Sequence, residues 1–337
     1  MTRLHQGLVK NVKFLSCLSA LFVMVMSQAT VTLHTHAASR ITVPIPVSTL
    51  SSNWSGYEAT GPAGTFKKAQ CRAQVPTLTS RGDVSAWCGL GGDPSFVPGG
   101  AAKTVLVQAG LDACLGPTCF GGNSNAQVNF AWWEIANALI VQPVRFTKGI
   151  KPGDDMYFYM ESGINDSIED KFYLRNITTN ESHTIIVNPQ GATKDGVPIS
   201  ISTINGNTRR TSNIPIVSDG ASIECIVERP LNAITNTLIN LPSFGSEKIL
   251  GCDAGTEQSR LLQPIGVIPT VSKISMINRS RAQGTSGTSL LTSVTPFSGL
   301  FDTFTVANTN VIDGPRNQAA RNGTKDLPPD PSTGFRQ

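Results

Sequence analysis

Short stretches of the chain alternate between apolar and polar residues with a period of two. In residues 66–75, one set of alternate positions is polar and the other apolar: Lys68, Gln70, Arg72 and Gln74 against Cys71, Ala73 and Val75. Successive side chains of a β-strand point to opposite faces, so this pattern predicts a strand with one buried face. Similar patterns predict strands at 85–90, 104–110, 127–135, 155–161, 171–176, 183–187, 222–228, 247–250, 272–277 and 303–307.

Turn-forming clusters separate these segments, among them GGDPSFVPGG, GPTCFGG and KGIKPGDD. The pattern shows no amphipathic helix of ordinary length. Many short strands joined by Gly- and Pro-rich turns indicate an all-β domain, either a sandwich or a closed barrel.

Composition and charge exclude a nucleic-acid-binding protein. Charged residues make up 15% of the 337 residues, against about 25% in typical soluble chains. The formal net charge of +4 includes Arg3, Lys10 and Lys13, and residues 1–38 contain no acidic residue. Removing them leaves 27 − 3 = 24 basic against 23 acidic residues, which is too few to build a basic face.

The first 38 residues have the layout of a secretory signal peptide. Basic residues precede an apolar run at 14–26, and the small residues Ala29, Ala37 and Ala38 follow it. The run is too short for a membrane span, which needs about 20 apolar residues. We therefore expect a signal peptide over 1–38, cut as early as 29, and an extracellular or periplasmic protein without membrane association. A short linker over 39–50, a domain over 51–308 and a disordered polar tail over 309–337 would follow.

Cysteine usage fits an oxidising compartment. Of seven cysteines, Cys17 lies in the signal, which leaves Cys71, Cys88, Cys114, Cys119, Cys225 and Cys252. An even number in an exported protein favours disulfides, and the short spacing predicts that Cys114 pairs with Cys119. The remaining pairing stays open. Neither CxxC nor HxxxH spacing occurs, so we expect no metal and no cofactor.

Histidine is scarce, which excludes most covalent hydrolase mechanisms. His5, His34 and His36 lie in or beside the signal, and His183 is predicted to be an exposed loop residue. Nucleophilic Ser or Cys catalysis needs a histidine base, and no GxSxG motif is present. An enzyme built on this chain would have to move protons with carboxylates or amides.

Three predicted strands carry residues with suitable chemistry. Gln108 lies within the apolar strand 104–110, and an amide there needs hydrogen-bond partners or a cleft. Glu134 shares one face of its strand with Trp132. Glu224 and Glu228 share one face of strand 222–228, but roughly 13–14 Å separates them, too far for one carboxylate pair.

Nine motifs follow one another between residues 50 and 308: SSNWSGY, AQCRAQVP, SAWCGLGGD, VLVQAG, AWWE, GDDMYF, LRNITT, ECIVERP and SFG. In this order they resemble one family, the glutamic endopeptidases or eqolisins. This resemblance implies a sandwich of two large antiparallel sheets, similar to concanavalin-like jelly rolls, with a substrate groove on one sheet. It also implies a secreted acid endopeptidase that acts on polypeptides, needs no cofactor and activates water directly.

The resemblance also implies site residues. Gln108 and Glu228 match the family's catalytic dyad. Substrate-binding positions match Trp54, Trp87, Glu134 and Asp93. Three positions depart from the family pattern: Gly91 replaces an acidic turn residue, Ala136 replaces an aromatic groove residue, and Asn137 replaces a proline. We expect a monomer.

Three alternatives remain open at this point. A retaining glycosidase would need two carboxyls about 5–5.5 Å apart, for which Glu134 and Glu228 are the candidates. A carbohydrate-binding module could stack sugars on its tryptophans, although core packing is expected for at least one of Trp132 and Trp133. A catalytically impaired family member is also compatible with the changes at Gly91 and Ala136.

Overall fold

The structure is a computed structural model, which describes residues 45–92, 105–117, 119, 124–136, 139–201, 217–232, 237–279 and 288–309. The predicted signal peptide, nearly all of the predicted tail, and Asp93 lie outside these ranges. Within them, no helix is long and apolar enough to cross a membrane.

Two large sheets contain most of the strands, which we number β1 to β21 in chain order. In spatial order the first sheet contains β1 (Val47–Ser51), β18 (Ser272–Arg279), β2 (Trp54–Thr60), β13 (Ser222–Glu228), β4 (Gly82–Leu90), β5 (Leu106–Gly116), β6 (Ser124–Ala136) and β7 (Gln142–Val144), with β19 (Thr288–Leu290) beside β18.

The second sheet contains β12 (Val197–Ile199), β11 (Gly191–Lys194), β10 (Glu181–Asn188), β9 (Asp170–Asn176), β8 (Asp155–Ser162), β3 (Lys68–Gln74), β16 (Ser246–Gly255), β21 (Phe304–Asn308) and β20 (Thr292–Val294), with β17 (Gln263–Pro264) beside β16. A small ladder joins β14 (Leu231–Asn232) to β15 (Thr237–Leu238). Two 3-10 turns occur at Ile164–Asp166 and Ile265–Val267.

The predicted fold class is confirmed. Every segment predicted as a strand forms one, and pairing within the described residues is antiparallel except between β1 and β18. Strand β1 shows that Val47–Leu50, assigned to a linker, pair with the first sheet. Strand β2 lacks the alternating pattern because both of its faces are buried.

The core lies between the two sheets. Inward-facing residues of both sheets form one buried apolar cluster, in which Trp133 of β6 stacks at 5.2 Å on Phe172 of β9. Trp133 is therefore a core residue, as expected for one of the adjacent tryptophans.

Three disulfides stabilise this arrangement. Cys71–Cys88 joins β3 to β4 and Cys225–Cys252 joins β13 to β16, so both cross the core between the sheets. Cys88 and Cys225 are direct neighbours on β4 and β13, which places the two bonds side by side. The predicted Cys114–Cys119 pair is confirmed.

Candidate active site

The outward-pointing residues of β2, β13, β4, β5 and β6 form a buried surface on the first sheet. These residues alternate with core residues along each strand, and we call them the groove face. Its polar and aromatic members are Trp54, Glu58, Ser85, Trp87, Gln108, Asp112, Trp132, Glu134, Glu224 and Glu228. Gln108 is 0% exposed and Glu228 3%, so both side chains are shielded from bulk solvent.

The strand register arranges these residues in rows across the sheet. One row contains Glu58, Glu224, Gly89, Gln108 and Glu134 on successive strands. A second row, four residues away along each strand, contains Trp54, Glu228, Ser85 and Asp112. Both members of the predicted dyad therefore face the same side of one sheet, in different rows.

Glu228 is held by two side-chain donors. The indole Nε1 of Trp87 donates to Glu228 Oε2 at 2.8 Å, and Asn53 Nδ2 donates to Oε1 at 3.3 Å. Hydrogen bonds from two N–H groups stabilise a carboxylate and fix its orientation. Asn53 is itself placed by Ser51, whose hydroxyl donates to Asn53 Oδ1 at 3.1 Å.

Gln108 is held by one carboxylate. Its Nε2 donates to Glu134 Oε2 at 2.7 Å, across the pairing of β5 with β6. This bond identifies which end of the amide is nitrogen, so the carbonyl oxygen points away from Glu134. Gln108 Oε1 is buried and has no hydrogen-bond partner. A buried acceptor that lacks a donor is a position at which a water molecule or a ligand can bind.

The two dyad candidates do not hydrogen bond to each other. They lie two strand spacings apart across the sheet, about 10 Å, with Trp87 on the strand between them. They also differ by four residues along the strands, because Gln108 lies level with Glu224. The offset of four residues adds about 13 Å along the strands, so the two backbone positions lie about 16 Å apart. To contact one water molecule, both long side chains would have to extend toward the space beside Trp87.

Small residues make room for Trp87 at the centre of the groove face. A Cβ atom on Gly110 would lie 2.5 Å from the Trp87 Cβ, and one on Gly89 would lie 3.1 Å from its ring. Trp54 packs edge-on against Trp87 with ring centroids 5.3 Å apart. The glycines of β4 and β5 therefore set where the donor to Glu228 sits.

The structure explains one departure from the family pattern. Gly91 has φ of 78°, a conformation that disfavours side chains, and a Cβ there would lie 2.4 Å from Ser218 Oγ. An acidic residue is excluded by this backbone. Ala136 is fully buried in the small apolar cluster of the groove face, beside Leu106.

His183 differs from its predicted state and lies away from the groove face. It belongs to β10 of the second sheet, and its side chain is only 11% exposed. Its Nδ1 lies 2.7 Å from Asp195 Oδ2, and its Nε2 lies 3.4 Å from Glu181 Oε1. The prediction of an exposed loop residue was wrong because the flanking carboxylates enclose the ring.

Sequence reasoning missed Asn53, Ser85, Asp112 and Glu58. Ser85 donates to Asp112 Oδ1 at 2.5 Å, next to Glu228 in the same row. Ser85 lies two residues from Trp87 on β4, and Asp112 lies four residues from Gln108 on β5. Period-two alternation could therefore have assigned both to this face. Asn53 and Glu58 had no such signal, because β2 lacks alternation.

The geometry counts against both carbohydrate alternatives. Glu134 and Glu228 lie on strands three spacings apart, about 14 Å, in different rows, which does not match a retaining glycosidase pair. One buried apolar cluster contains Trp54, Trp87 and Trp132, so none of these rings presents an open surface on which a sugar could stack. Among the described residues, no group of three or more His, Cys, Asp or Glu side chains is placed to bind a metal.

Comparison with known proteins identifies the family. The family model described as Peptidase A4 family matches residues 52–299. A crystal structure of scytalido-glutamic peptidase with a transition state analog inhibitor shares the fold, with a TM-score of 0.51 and 16% identity over 77% of this chain and 98% of that chain. SCP-B, a member of the eqolisin family in a complex with the tripeptide Ala-Ile-His, aligns over the same shares with 16% identity and a TM-score of 0.49. A search of curated proteins finds no match.

The chain is thus a peptidase built on a two-sheet β-sandwich, and its substrates are polypeptides. It belongs to the Peptidase A4 family, the glutamic endopeptidases or eqolisins, as the order of its motifs indicated.

Proposed function

We propose that this protein is a secreted acid endopeptidase in which Glu228 and Gln108 activate a water molecule directly. The observation that carries the proposal is the unpartnered carbonyl oxygen of Gln108, buried on the same face as a carboxylate that two N–H donors hold in place. Three disulfides support an oxidising destination outside the cytoplasm.

Glu228 is the proton carrier in this mechanism. Its carboxylate takes a proton from the water as the water oxygen bonds to the carbonyl carbon of the scissile amide. The resulting acid gives the proton to the leaving nitrogen when the carbon–nitrogen bond breaks, which regenerates the carboxylate. Trp87 and Asn53 keep the carboxylate in one orientation through both steps.

Gln108 orients the water and stabilises the oxyanion. An amide nitrogen has two N–H donors, and Glu134 accepts from one of them. The second N–H remains for the oxyanion of the tetrahedral intermediate, and Oε1 remains for the attacking water. Glu134 acts as a positioning residue because it fixes the amide without touching the reacting atoms.

Acid medium suits this cycle because Glu228 passes through its protonated form. An ordinary glutamate titrates near ~4.3, so a cycle that passes through the acid form of a glutamate favours acidic medium. We expect maximal activity in acid and no effect of serine- or cysteine-directed reagents.

The test is digestion of denatured protein substrate at pH 3–4 by Glu228→Gln and Gln108→Ala. We expect losses of kcat of about 10²–10⁴-fold for the first and about 10²–10³-fold for the second. Gln108→Ala also removes a buried hydrogen bond to Glu134, so kcat is measured below the melting temperature of each variant. If both variants keep peptidase activity at the wild-type level, Glu228 and Gln108 are not the catalytic dyad. A wild-type protein that folds but does not digest would identify an impaired family member.

Glu224→Gln is the matched control. Glu224 lies on the same strand and the same face as Glu228, four residues away, and its row contains Gln108. We expect this variant to keep activity within about ten-fold. If Glu224→Gln abolished activity while Glu228→Gln did not, Glu224 would be the glutamate of the dyad.

A further inference from the structure

Tryptophans flank the proposed dyad strand by strand across the groove face. Five neighbouring strands, β2, β13, β4, β5 and β6, carry Trp54, Glu228, Trp87, Gln108 and Trp132 in that order. Trp54 therefore lies one strand beyond Glu228, and Trp132 lies one strand beyond Gln108.

The three indole N–H groups differ in their partners. The central one, of Trp87, donates to Glu228. The outer ones, of Trp54 and Trp132, are buried and have no hydrogen-bond partner. Trp54 is 6% exposed and Trp132 4%, so neither N–H is compensated by bulk water. Buried tryptophans usually find an acceptor, and its absence at both ends of one row of strands points to a ligand.

We infer that the N–H groups of Trp54 and Trp132 donate to backbone carbonyls of an extended substrate that crosses the strands. The distance between β2 and β6 is four strand spacings, about 19 Å. An extended chain covers about 3.3 Å per residue, so about six residues span it. Each tryptophan then contacts the substrate about three residues from the scissile bond.

This inference rests on the proposed function, because the dyad marks the middle of the span. It makes Trp132 a substrate-binding residue that acts on long peptides only. A tetrapeptide cut at its centre reaches neither outer tryptophan, whereas an octapeptide cut at its centre reaches both. The enzyme should therefore favour substrates of six or more residues.

The test is Trp132→Phe, which keeps one aromatic ring and removes the N–H donor together with the rest of the indole. We expect KM for an octapeptide to rise roughly ten-fold, the loss from one buried hydrogen bond. KM for the tetrapeptide and kcat for both peptides should stay within about two-fold. An equal rise for both peptides, or no rise for the octapeptide, overturns the inference.

Trp133→Phe is the matched control, because Trp133 is the next residue and packs into the core. We expect it to lower the melting temperature and to leave both KM values unchanged. A separate measurement tests the dyad: if Glu228→Gln protein cuts the octapeptide at the wild-type rate, the dyad is rejected. The role of Trp132 is still tested in that case, by the dependence of KM on peptide length.

Discussion

The two faces of the first sheet are built from the same strands but differ in chemistry. The core side carries Cys88, Ala109, Trp133 and Val227, which pack against the second sheet. The groove face carries buried carboxyls, an amide and indoles; among the described residues, Gln108 Oε1 and the indole N–H groups of Trp54 and Trp132 have no hydrogen-bond partner. Adjacent residues of one strand thus belong to the core or to the groove face. We therefore expect a substitution at a core position to change mainly stability, and one at the neighbouring groove-face position to change mainly catalysis.

The largest expected effect comes from the core side. Replacing Cys71 and Cys88 with alanine opens a loop with a sequence separation of 17 and should lower the free energy of unfolding by about 3 kcal/mol. Activity per folded molecule should stay the same, because neither cysteine touches the groove face. Urea unfolding in acid, followed by an assay at low temperature, measures both. A fall in activity without a loss of stability would show that the faces are coupled.

A smaller effect is expected from the groove face. Trp87→Phe removes the donor to Glu228 Oε2, and we expect kcat to fall about ten-fold, which corresponds to about 1.4 kcal/mol. The melting temperature should fall as well, because Trp87 is fully buried and the smaller ring leaves a cavity, so kcat is compared well below the unfolding transition of both proteins. Steady-state kinetics with thermal melts checks this, and an unchanged kcat would mean that the carboxylate keeps its orientation without Trp87.

The smallest effect concerns a carboxyl on the core side of the second sheet. Burial raises the pKa of Glu247 well above its usual range, despite a hydrogen bond from the backbone of Gln74. Burial likewise raises the pKa of Asp170, against a hydrogen bond from Ser162. The two protonated carboxyls contribute their full stabilisation below about pH 4, and this contribution is lost as the pH rises through their raised pKa values.

We therefore expect the fold to be most stable in acid, and Glu247→Gln to weaken this dependence. At pH 7 the variant should melt higher than the wild type by roughly 2–4 °C, the shift from about 1 kcal/mol. At pH 3–4 the two should agree more closely. Thermal melts across this range make the comparison, and parallel curves for both proteins would contradict the assignment.

Period-two alternation predicted eleven of the strands and which of their residues share a face, but it left a sandwich and a closed barrel equally open. It worked for β5 and β13, where Gln108 and Glu228 interrupt apolar runs. It failed for β2, because a strand buried on both faces has no polar side to mark it. The role of Asn53 as a donor to Glu228 was lost with it.

The pairing register between neighbouring strands cannot be predicted from any local sequence pattern. The sequence alone could not say that Gln108 lies opposite Glu134, or that it lies level with Glu224 and not with Glu228. Long-range disulfides posed the same problem, since Cys71 and Cys252 find their partners only once the two sheets face each other. The local Cys114–Cys119 pair was accessible because five positions separate its ends.

The hydrogen bond from Asn53 to Glu228 bears on how this enzyme can be produced. Asn53, Trp54 and Ser55 form a sequon for N-linked glycosylation, yet the Asn53 side chain is 4% exposed and its amide is engaged by the carboxylate. A glycan attached to the nascent chain would occupy that amide nitrogen and demand space that the closed site does not have. Expression in a eukaryotic secretory host should therefore yield misfolded material in proportion to occupancy at this one asparagine, and a bacterial host avoids the conflict.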